Sequence, residues 1–526
     1  MLPSSAARPG PNAGRPRIAF LAAYMNNEYE WAIWRGVRAA VEARGGSVVS
    51  FAGASIGDPR PDHHARSVLF ELLDPARFDG ILCLSSVVGH YAGVAATEDW
   101  LEHWGLPVSS IGPAELLPTV LIDDGAGVLQ LMRHLIEHHE HQRIAFITGG
   151  MPNTEAKRRH TAYLQALEDH GLPHDPRLVL TGDFTTESGS RAIAELFDVR
   201  QVKANEVDAV VASNDYMACG AMEELARRRI DVPEQIAVVG FDDIGPARVY
   251  EPPLTTVRQP LETLGREGAL RLLERIAGQP VSGALSVQTE LVLRRSCGCV
   301  PTEGARERAP ASEGPPRPAH DVSANTMLAA LSAELHGGSG KFAAALEPIL
   351  REVVANGGGG LDEGRRLADE LATRVQLARE DLIHERLTRL ARILHTRMFG
   401  PQVQLSTALA EFLPSFGIDE CAVSELLAGK DGACPAGRMK LAFGFDRRTA
   451  EPQLTAFDAR LLLPTSFEEL SVRSSLVMPL TCGPQSLGVA VIPASDRDGK
   501  FYETLAELFA TILKVLELRR GAPRVA

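Results

Sequence analysis

Short apolar runs rich in β-branched residues alternate with amphipathic stretches along residues 17–296. RIAFLAAY, from Arg17, reads as a buried strand, residues 28–44 as a helix stopped by Gly45-Gly46, and SVVSFA as a second strand. A helix around 64–74, the strand FDGILCLSS, a helix near 97–104 and the short strand in GLPVSSI continue the alternation. The pattern then restarts with QRIAFITGG, a helix over 155–171, the strand VDAVVAS, a helix over 215–229 and the strand IAVVGFDD. Apolar strands separated by helices predict a parallel sheet covered on both faces. Two consecutive units of this kind predict two lobes with a cleft between them. In such sheets ligands sit beyond the carboxyl ends of the strands. Here those ends are YMNNEYEW (24–31), LSSVVGHY (84–91), ITGGMPNTEAKRR (147–159), SNDYM (213–217) and GFDDIG (240–245).

The alternation stops after ELVLRRSCGC, and residues 297–322 hold too few apolar side chains to pack, so they are expected to form a flexible linker. A helical stem is predicted over 323–399, broken at HGGSG and NGGGG. In its last helix Leu367, Leu371, Val375, Ala378 and Leu382 form one stripe, which Ile383, Leu387, Leu390 and Leu394 continue. That spacing suits pairing with the same helix of a second subunit, giving a homodimer, or packing within an internal bundle. Residues 400–520 predict a small α+β domain: a helix LSTALAEFL, strands ECAVSELL, RMKLAFGF, SSLVMPLT and SLGVAVIP, and a closing helix. Gly483-Pro484 between the last two strands predicts a hairpin and an antiparallel sheet. The fold class is therefore α/β: a two-lobed, doubly wound parallel-sheet module, a helical linker, then an α+β unit. Residues 1–16, rich in Pro and Gly, are expected to be disordered.

Charge and cysteine content narrow the partners. At a net charge of −13 over 526 residues the chain lacks the basic surface that general nucleic-acid or anionic-membrane binding needs. Seven cysteines, an odd number, without a secretory signal at the N-terminus predict reduced thiols in the cytoplasm. No stretch approaches the ~18 apolar residues of a membrane span.

Asp242 and Asp243, adjacent at a strand end, start toward opposite faces, which suits one ligand-facing acid and one structural acid better than a catalytic dyad. Asn214-Asp215 repeats the arrangement on the neighbouring strand, with Asp215 placed to cap the helix that follows. An Arg fork from AKRR, the Asn214 amide and the Asp242 carboxylate converging on one cleft would supply donors and acceptors for vicinal hydroxyls. Tyr24, Tyr29, Trp31 and Trp34 cluster at the first strand end; one or both tryptophans are expected in the core, and Tyr29 nearer the cleft, placed to stack on a sugar or base. No Ser-His-Asp set, P-loop or dinucleotide fingerprint stands out, so neither an enzyme nor a cofactor is expected. SCGC without partner pairs at zinc spacing is expected to be a plain strand end, and HLIEHHEH a solvated helix end, although His134 and His138 could hold a metal. Cys421, Cys434 and Cys482 are expected to be small packed thiols.

The string ASNDYMACGAMEELARRRIDVPEQIAVVGFDDIGPARVYEPPLTTVRQP closely resembles the effector-binding core of the LacI/GalR repressors, a fold shared with type I periplasmic sugar-binding proteins. VLIDDGAGVLQLMRHLIEHHEHQRIAFITGG looks like that family's crossover between lobes, and PPLTT like the return crossing. The resemblance implies ligand contacts at Arg159, Asn214 and Asp242, and around Asn27–Tyr29 and Ser85–Ser86. Ala162-Tyr163 stands where the family has Gly-Phe, which leaves both Arg158 and Arg159 open as the cleft arginine. Sixteen residues precede Arg17, too few for the family's helix-turn-helix headpiece, so direct DNA binding by this chain alone is not expected. Residues 400–520 resemble a GAF sensor domain, above all in SLVMPLTCGPQSLGVAVIPASDRDGKFYETLAELFATILKVLEL. Together the resemblances imply a sensor of a small effector, a sugar or nucleoside, that signals by lobe closure through the stem to a protein partner. Two alternatives stay open: a LacI-family regulator acting on DNA, and the sensor remnant of a histidine-kinase or diguanylate-cyclase receptor.

Overall fold

The computed structural model describes residues 15–150, 153–299, 407, 409–411, 413–426, 438–446, 456–458, 473–495 and 499–521. The expected N-terminal tail, most of the linker and the stem lie outside these residues.

The first lobe opens with β1 (Arg17–Ala22), α1 (Glu28–Glu42), β2 (Ser47–Ala52) and α2 (Pro61–Glu71), followed by β3 (Gly80–Leu84), α3 (Ser85–Val88), α4 (Val94–Glu102), β4 (Val108–Ile111) and β5 (Thr119–Ile122). The second holds α5 (Asp124–Arg133), β6 (Ile144–Thr148), α6 (Thr154–Asp169), β7 (Val179–Thr181), α7 (Thr186–Ala194), β8 (Ala209–Ala212), α8 (Asp215–Arg227), β9 (Ala237–Asp242), α9 (Gly245–Val249) and β10 (Thr255–Arg258). The chain then returns to the first lobe for α10 (Leu261–Ile276) and β11 (Ala284–Val287) and re-enters the second as β12 (Glu290–Val292). The sheet orders are β11-β5-β4-β3-β1-β2 and β12-β10-β9-β8-β6-β7, parallel throughout except for β12. Strands such as β1, β2 and β3 are buried along nearly their whole length, as helices on both faces of a parallel sheet require.

One feature departs from the sequence reading and a second goes beyond it. PPLTT (252–256), read as the return crossing between lobes, runs instead into β10, a strand of the second lobe parallel to β9; the crossing lies beyond it, at residues 259–260. And α10, which follows the second lobe in sequence, packs on the first. An apolar stripe marks a buried face but not the lobe it faces; here backbone contact decides. A Cβ on Gly36 of α1 would lie 2.0 Å from the Glu262 carbonyl, and one on Gly265 of α10 1.9 Å from the Ile33 carbonyl, so each helix has a glycine where the other's backbone passes. Three crossings therefore join the lobes, and a hydrogen bond from Asp123 N to the Val287 carbonyl, 3.0 Å, ties two of them together.

The C-terminal strands are β13 (Glu420–Leu426), β14 (Arg438–Asp446), β15 (Ala456–Asp458), β16 (Ser475–Cys482) and β17 (Gln485–Pro493), closed by α11 (Gly499–Gly521). They pair antiparallel in the order β16-β17-β13-β14-β15, with the hairpin at Gly483-Pro484. They are not a separate layer. Strand β16 pairs parallel with β2, Leu476 opposite Ser50 and Val477 opposite Phe51, so the first lobe and the C-terminal strands share one eleven-stranded sheet. Val477, Val489 and Val491 join Val49, Phe51 and Phe70 in one apolar cluster. At the start of α11, Tyr502 packs 5.6 Å from Trp31, Glu503 pairs with Arg66 at 2.9 Å, and Gly499 sits against the Met25 carbonyl. Both tryptophans of α1 are buried, their rings stacked at 4.5 Å.

Candidate functional site

The carboxyl ends of the strands in both lobes face one cleft, centred on Arg159. This side chain, 3% exposed, projects from α6; Arg158 beside it is exposed, so the geometry separates the two arginines. Arg159 donates from Nε to Asp124 Oδ1 at 2.8 Å and from Nη1 to the Ser213 carbonyl at 2.6 Å. Its guanidinium lies 3.8 Å from the centre of the Phe241 ring, a cation–π contact. Nη1 stands 4.0 Å from Asp242 Oδ1.

Asp242 ends β9 at φ +126°, and Asp243 follows at φ +61°; non-glycine residues at positive φ cost about 1–3 kcal/mol and persist only where the surroundings impose them. Their side chains part, but the positive φ of both residues, rather than strand pleating, sets the two directions. Asp243, fully buried, accepts from Arg258 at 2.7 Å, Arg248 at 3.3 Å and Arg294. Asp242 faces the cleft and accepts from the amide of Gln259, which sits on the return crossing between lobes. Asp215 holds the turn between β9 and α9: its Oδ2 accepts from Ile244 N at 3.0 Å and its Oδ1 from Thr256 Oγ1 at 2.6 Å. A Cβ on Gly240 would meet Asp215 Oδ1 at 2.2 Å, so the glycine ending the apolar run makes room for this acid. The helix cap expected of Asp215 is made by Asn214, whose Oδ1 accepts from Met217 N at 2.9 Å and whose Nδ2 donates to the Phe184 carbonyl at 3.0 Å. The N-cap is the last residue in extended conformation, and that residue is Asn214.

From the first lobe, Asn27 caps α1 by accepting from Glu30 N at 2.9 Å, and Tyr29 in the next turn brings its hydroxyl to 3.5 Å from Ser86 Oγ. Ser85 accepts from Ser110 Oγ at 2.6 Å and donates to the Pro113 carbonyl at 3.0 Å, so Ser86 is the one of the pair that meets Tyr29. Tyr24 departs from the cluster expected at this strand end, reaching His63 instead. The lobes touch across the cleft where Gly245 N donates to Glu28 Oε2 at 2.6 Å and Asn153 Nδ2 approaches His90 Nδ1 at 3.5 Å. Thus Arg159, Asp242, Tyr29 and Ser86 come together, while Asn27 and Asn214 cap helices and Ser85 bonds to Ser110 and the Pro113 carbonyl.

Sequence reasoning missed Asp124, Glu155 and Gln259. Asp124 belongs to an Asp-Asp pair like 242–243: Asp123 caps α5 through Ala126 N at 3.0 Å and Asp124 turns to Arg159. Repetition of the acid pair was the available signal. Enclosure in the cleft, then the nearby Asp124 charge, pushes the Glu155 carboxyl up to about 7, and burial pushes Asp215 up to about 7. Burial also raises Asp124 and Asp242, against the pull of Arg159. In the window between the ordinary carboxyl pKa and about 7 the folded chain holds more protons than the unfolded one, so stability falls as pH rises through it. Glu155→Gln is expected to remove up to about 1.4 kcal/mol per pH unit of that slope. Unfolding midpoints should match wild type at pH 5 and exceed it at pH 8.

A two-lobed module with three crossings and a polar cleft at its strand ends defines the class of periplasmic-binding-protein-like effector domains. The periplasmic binding protein-like domain family matches residues 132–297. The HTH-type transcriptional repressor CytR of Escherichia coli (strain K12) is 34% identical over 251 residues, 47% of this chain and 70% of that protein. The HTH-type transcriptional regulator CelR of Thermobifida fusca is 40% identical over 185 residues, 35% of this chain and 53% of that one. A LacI family transcriptional regulator from Mycobacterium smegmatis, of solved structure, is 26% identical and covers 53% of this chain and 98% of its own, with a TM-score of 0.47. The chain belongs to the LacI family of transcriptional regulators. Among the described residues no helix is long and apolar enough to cross a membrane.

Proposed function

We propose that this chain is a non-enzymatic sensor of a small neutral polyol, a sugar or nucleoside, bound between the lobes and signalled by their closure. The observation that carries the reading is the surplus of acceptors around one cation. Asp124, Glu155 and Asp242 surround Arg159, and Asp124 Oδ2 and Gln259 Oε1 are buried without a hydrogen-bond partner. Such a set calls for a ligand rich in O–H or N–H donors and repels an anionic one. Tyr29 adds an aromatic wall, and the Asp242–Gln259 bond connects the ligand acid to a crossing. Closure follows the ligand's differential affinity for the closed arrangement, typically ~1–3 kcal/mol of coupling. The antiparallel order of the C-terminal strands and the closing helix α11 support a GAF-like reading of residues 400–520.

Titration calorimetry of the full chain against neutral pentoses, hexoses, disaccharides and ribonucleosides tests the proposal. A saturable binder weakened roughly tenfold or more by Asp242→Asn is expected, about the loss of one hydrogen bond to a charged group. A panel without heats, or an Asp242→Asn variant that binds as wild type does, sinks it. The relatives' names favour a second reading, direct action on DNA. Salt-sensitive binding of the full chain to duplex DNA, read by fluorescence anisotropy, decides for it.

A further inference from the structure

Two stretches that the sequence reading kept apart, HLIEHHEH and SCGC, meet in the structure. Helix α5 ends in a π-helical turn, His134–His138, and the second lobe ends in a tight turn, Arg295–Cys297, continued by Gly298 and Cys299. Residues five apart on an α-helix lie about 140° apart around its axis, but a π turn, with its i→i+5 bonding, brings them to one side. It therefore brings the Nε2 atoms of His134 and His139 together, while the His138 ring only stacks on that of His134, their centres 5.1 Å apart. Gly298, at φ +97°, reverses the chain between Cys297 and Cys299 so that both thiols point back at the imidazoles. It also packs against the His139 ring, 3.4 Å from where its Cβ would be.

We propose that His134, His139, Cys297 and Cys299 bind a structural zinc ion. The ligand atoms of all four residues lie within 4.8 Å of one another. His134 Nε2 stands 3.2 Å from His139 Nε2 and 3.6 Å from Cys297 Sγ. Cys299 Sγ stands 3.4 Å from each Nε2. A tetrahedral zinc with ordinary Zn–N and Zn–S bonds has edges of about 3.3 Å between nitrogens and about 3.6 Å between nitrogen and sulfur. Four of the six distances between the ligand atoms thus already match the edges of the coordination polyhedron, and the remaining two are no longer than 4.8 Å. Hydrogen bonding alone satisfies them poorly, since two Nε2 atoms at 3.2 Å compete for one proton, whereas a cation engages all four lone pairs together. Two thiolates and two imidazoles select a borderline-soft ion over magnesium or calcium. Four protein ligands leave no open position, the mark of a structural site. Thr255 Oγ1, 3.1 Å from Cys297 Sγ, is placed to donate to the thiolate. The site fastens the last described residues of the sensor module to the end of α5, and so fixes where the chain leaves the second lobe.

Elemental analysis of the full chain, purified with Zn2+ and dialysed against metal-free buffer, tests this. About one zinc per chain is expected. Cys297→Ser/Cys299→Ser should lower retained zinc roughly tenfold or more, while His138→Ala, outside the four, keeps it. Cobalt-loaded wild type should show a sulfur-to-cobalt charge-transfer band with intense tetrahedral ligand-field bands, and zinc should slow alkylation of Cys297 and Cys299 as located by peptide mapping. These wild-type measurements do not depend on the variants folding. Wild type without retained zinc, with no thiolate band on cobalt and with both cysteines freely alkylated, overturns the proposal. So does full retention of zinc by the doubly substituted chain.

Discussion

Arg159→Ala is expected to destabilise the chain by about 3–5 kcal/mol at neutral pH, the cost of removing one partner from a buried ion pair. The guanidinium is the cation that Asp124 pairs with and that offsets Glu155 and Asp242, and it also supplies a hydrogen bond to the Ser213 carbonyl. The loss should shrink at pH 5, because carboxyls with raised pKa values relieve the uncompensated charge by taking protons. Arg159→Lys should recover the charge but not the two directed hydrogen bonds, and fall between alanine and wild type. Thermal unfolding at pH 5 and pH 8 reads all three. A loss below about 1 kcal/mol at pH 8 would mean that the side chain is solvated and not the centre of the cleft.

The second large effect is expected at Gly499→Ala. A Cβ there would lie 1.3 Å from the Met25 carbonyl, and because the obstacle is backbone, no side chain can turn aside. The start of α11 has to retreat from the loop before α1, parting Tyr502 from Trp31 and Glu503 from Arg66. Overpacking of this kind costs about 1–3 kcal/mol or more. Faster proteolysis within the C-terminal strands should accompany the drop in unfolding temperature. Gly125→Ala, with nothing nearer than Asp123 Oδ1 at 4.0 Å, is the neutral control. Equal behaviour of the two variants would contradict the junction between the first lobe and the C-terminal strands.

The strand–helix alternation was legible because strands buried on both faces are continuous apolar runs, and that signal is local. What joins to what was not. Nothing in the LETLGREGALRLLERI pattern of α10 says that it belongs to the first lobe; that depends on Gly36 and Gly265, which only matter once the helices touch. Strand β2 carries no mark showing that its free edge receives β16. Strand alternation predicts that the Asp242 and Asp243 side chains part, and they do, but the two positive φ values that part them leave no mark in the sequence. Arg159's acid partner, Asp124, lies 35 positions away in sequence, and the Cys297–His134 approach spans 163, so pattern reading treated each member alone.

The shared eleven-stranded sheet also settles what can act as a fixed frame. A hydrogen-bonded sheet shears little, so the first lobe and the C-terminal strands form one frame, against which the second lobe would swing on its three crossings under the proposed closure. Leu409 and Leu413 are buried in the core that holds α11 and so belong to that frame. Under the proposed closure Cys299, on the second lobe, would move against a fixed reference at Leu409 and Leu413, so the state of the cleft would be a displacement between two points of one chain.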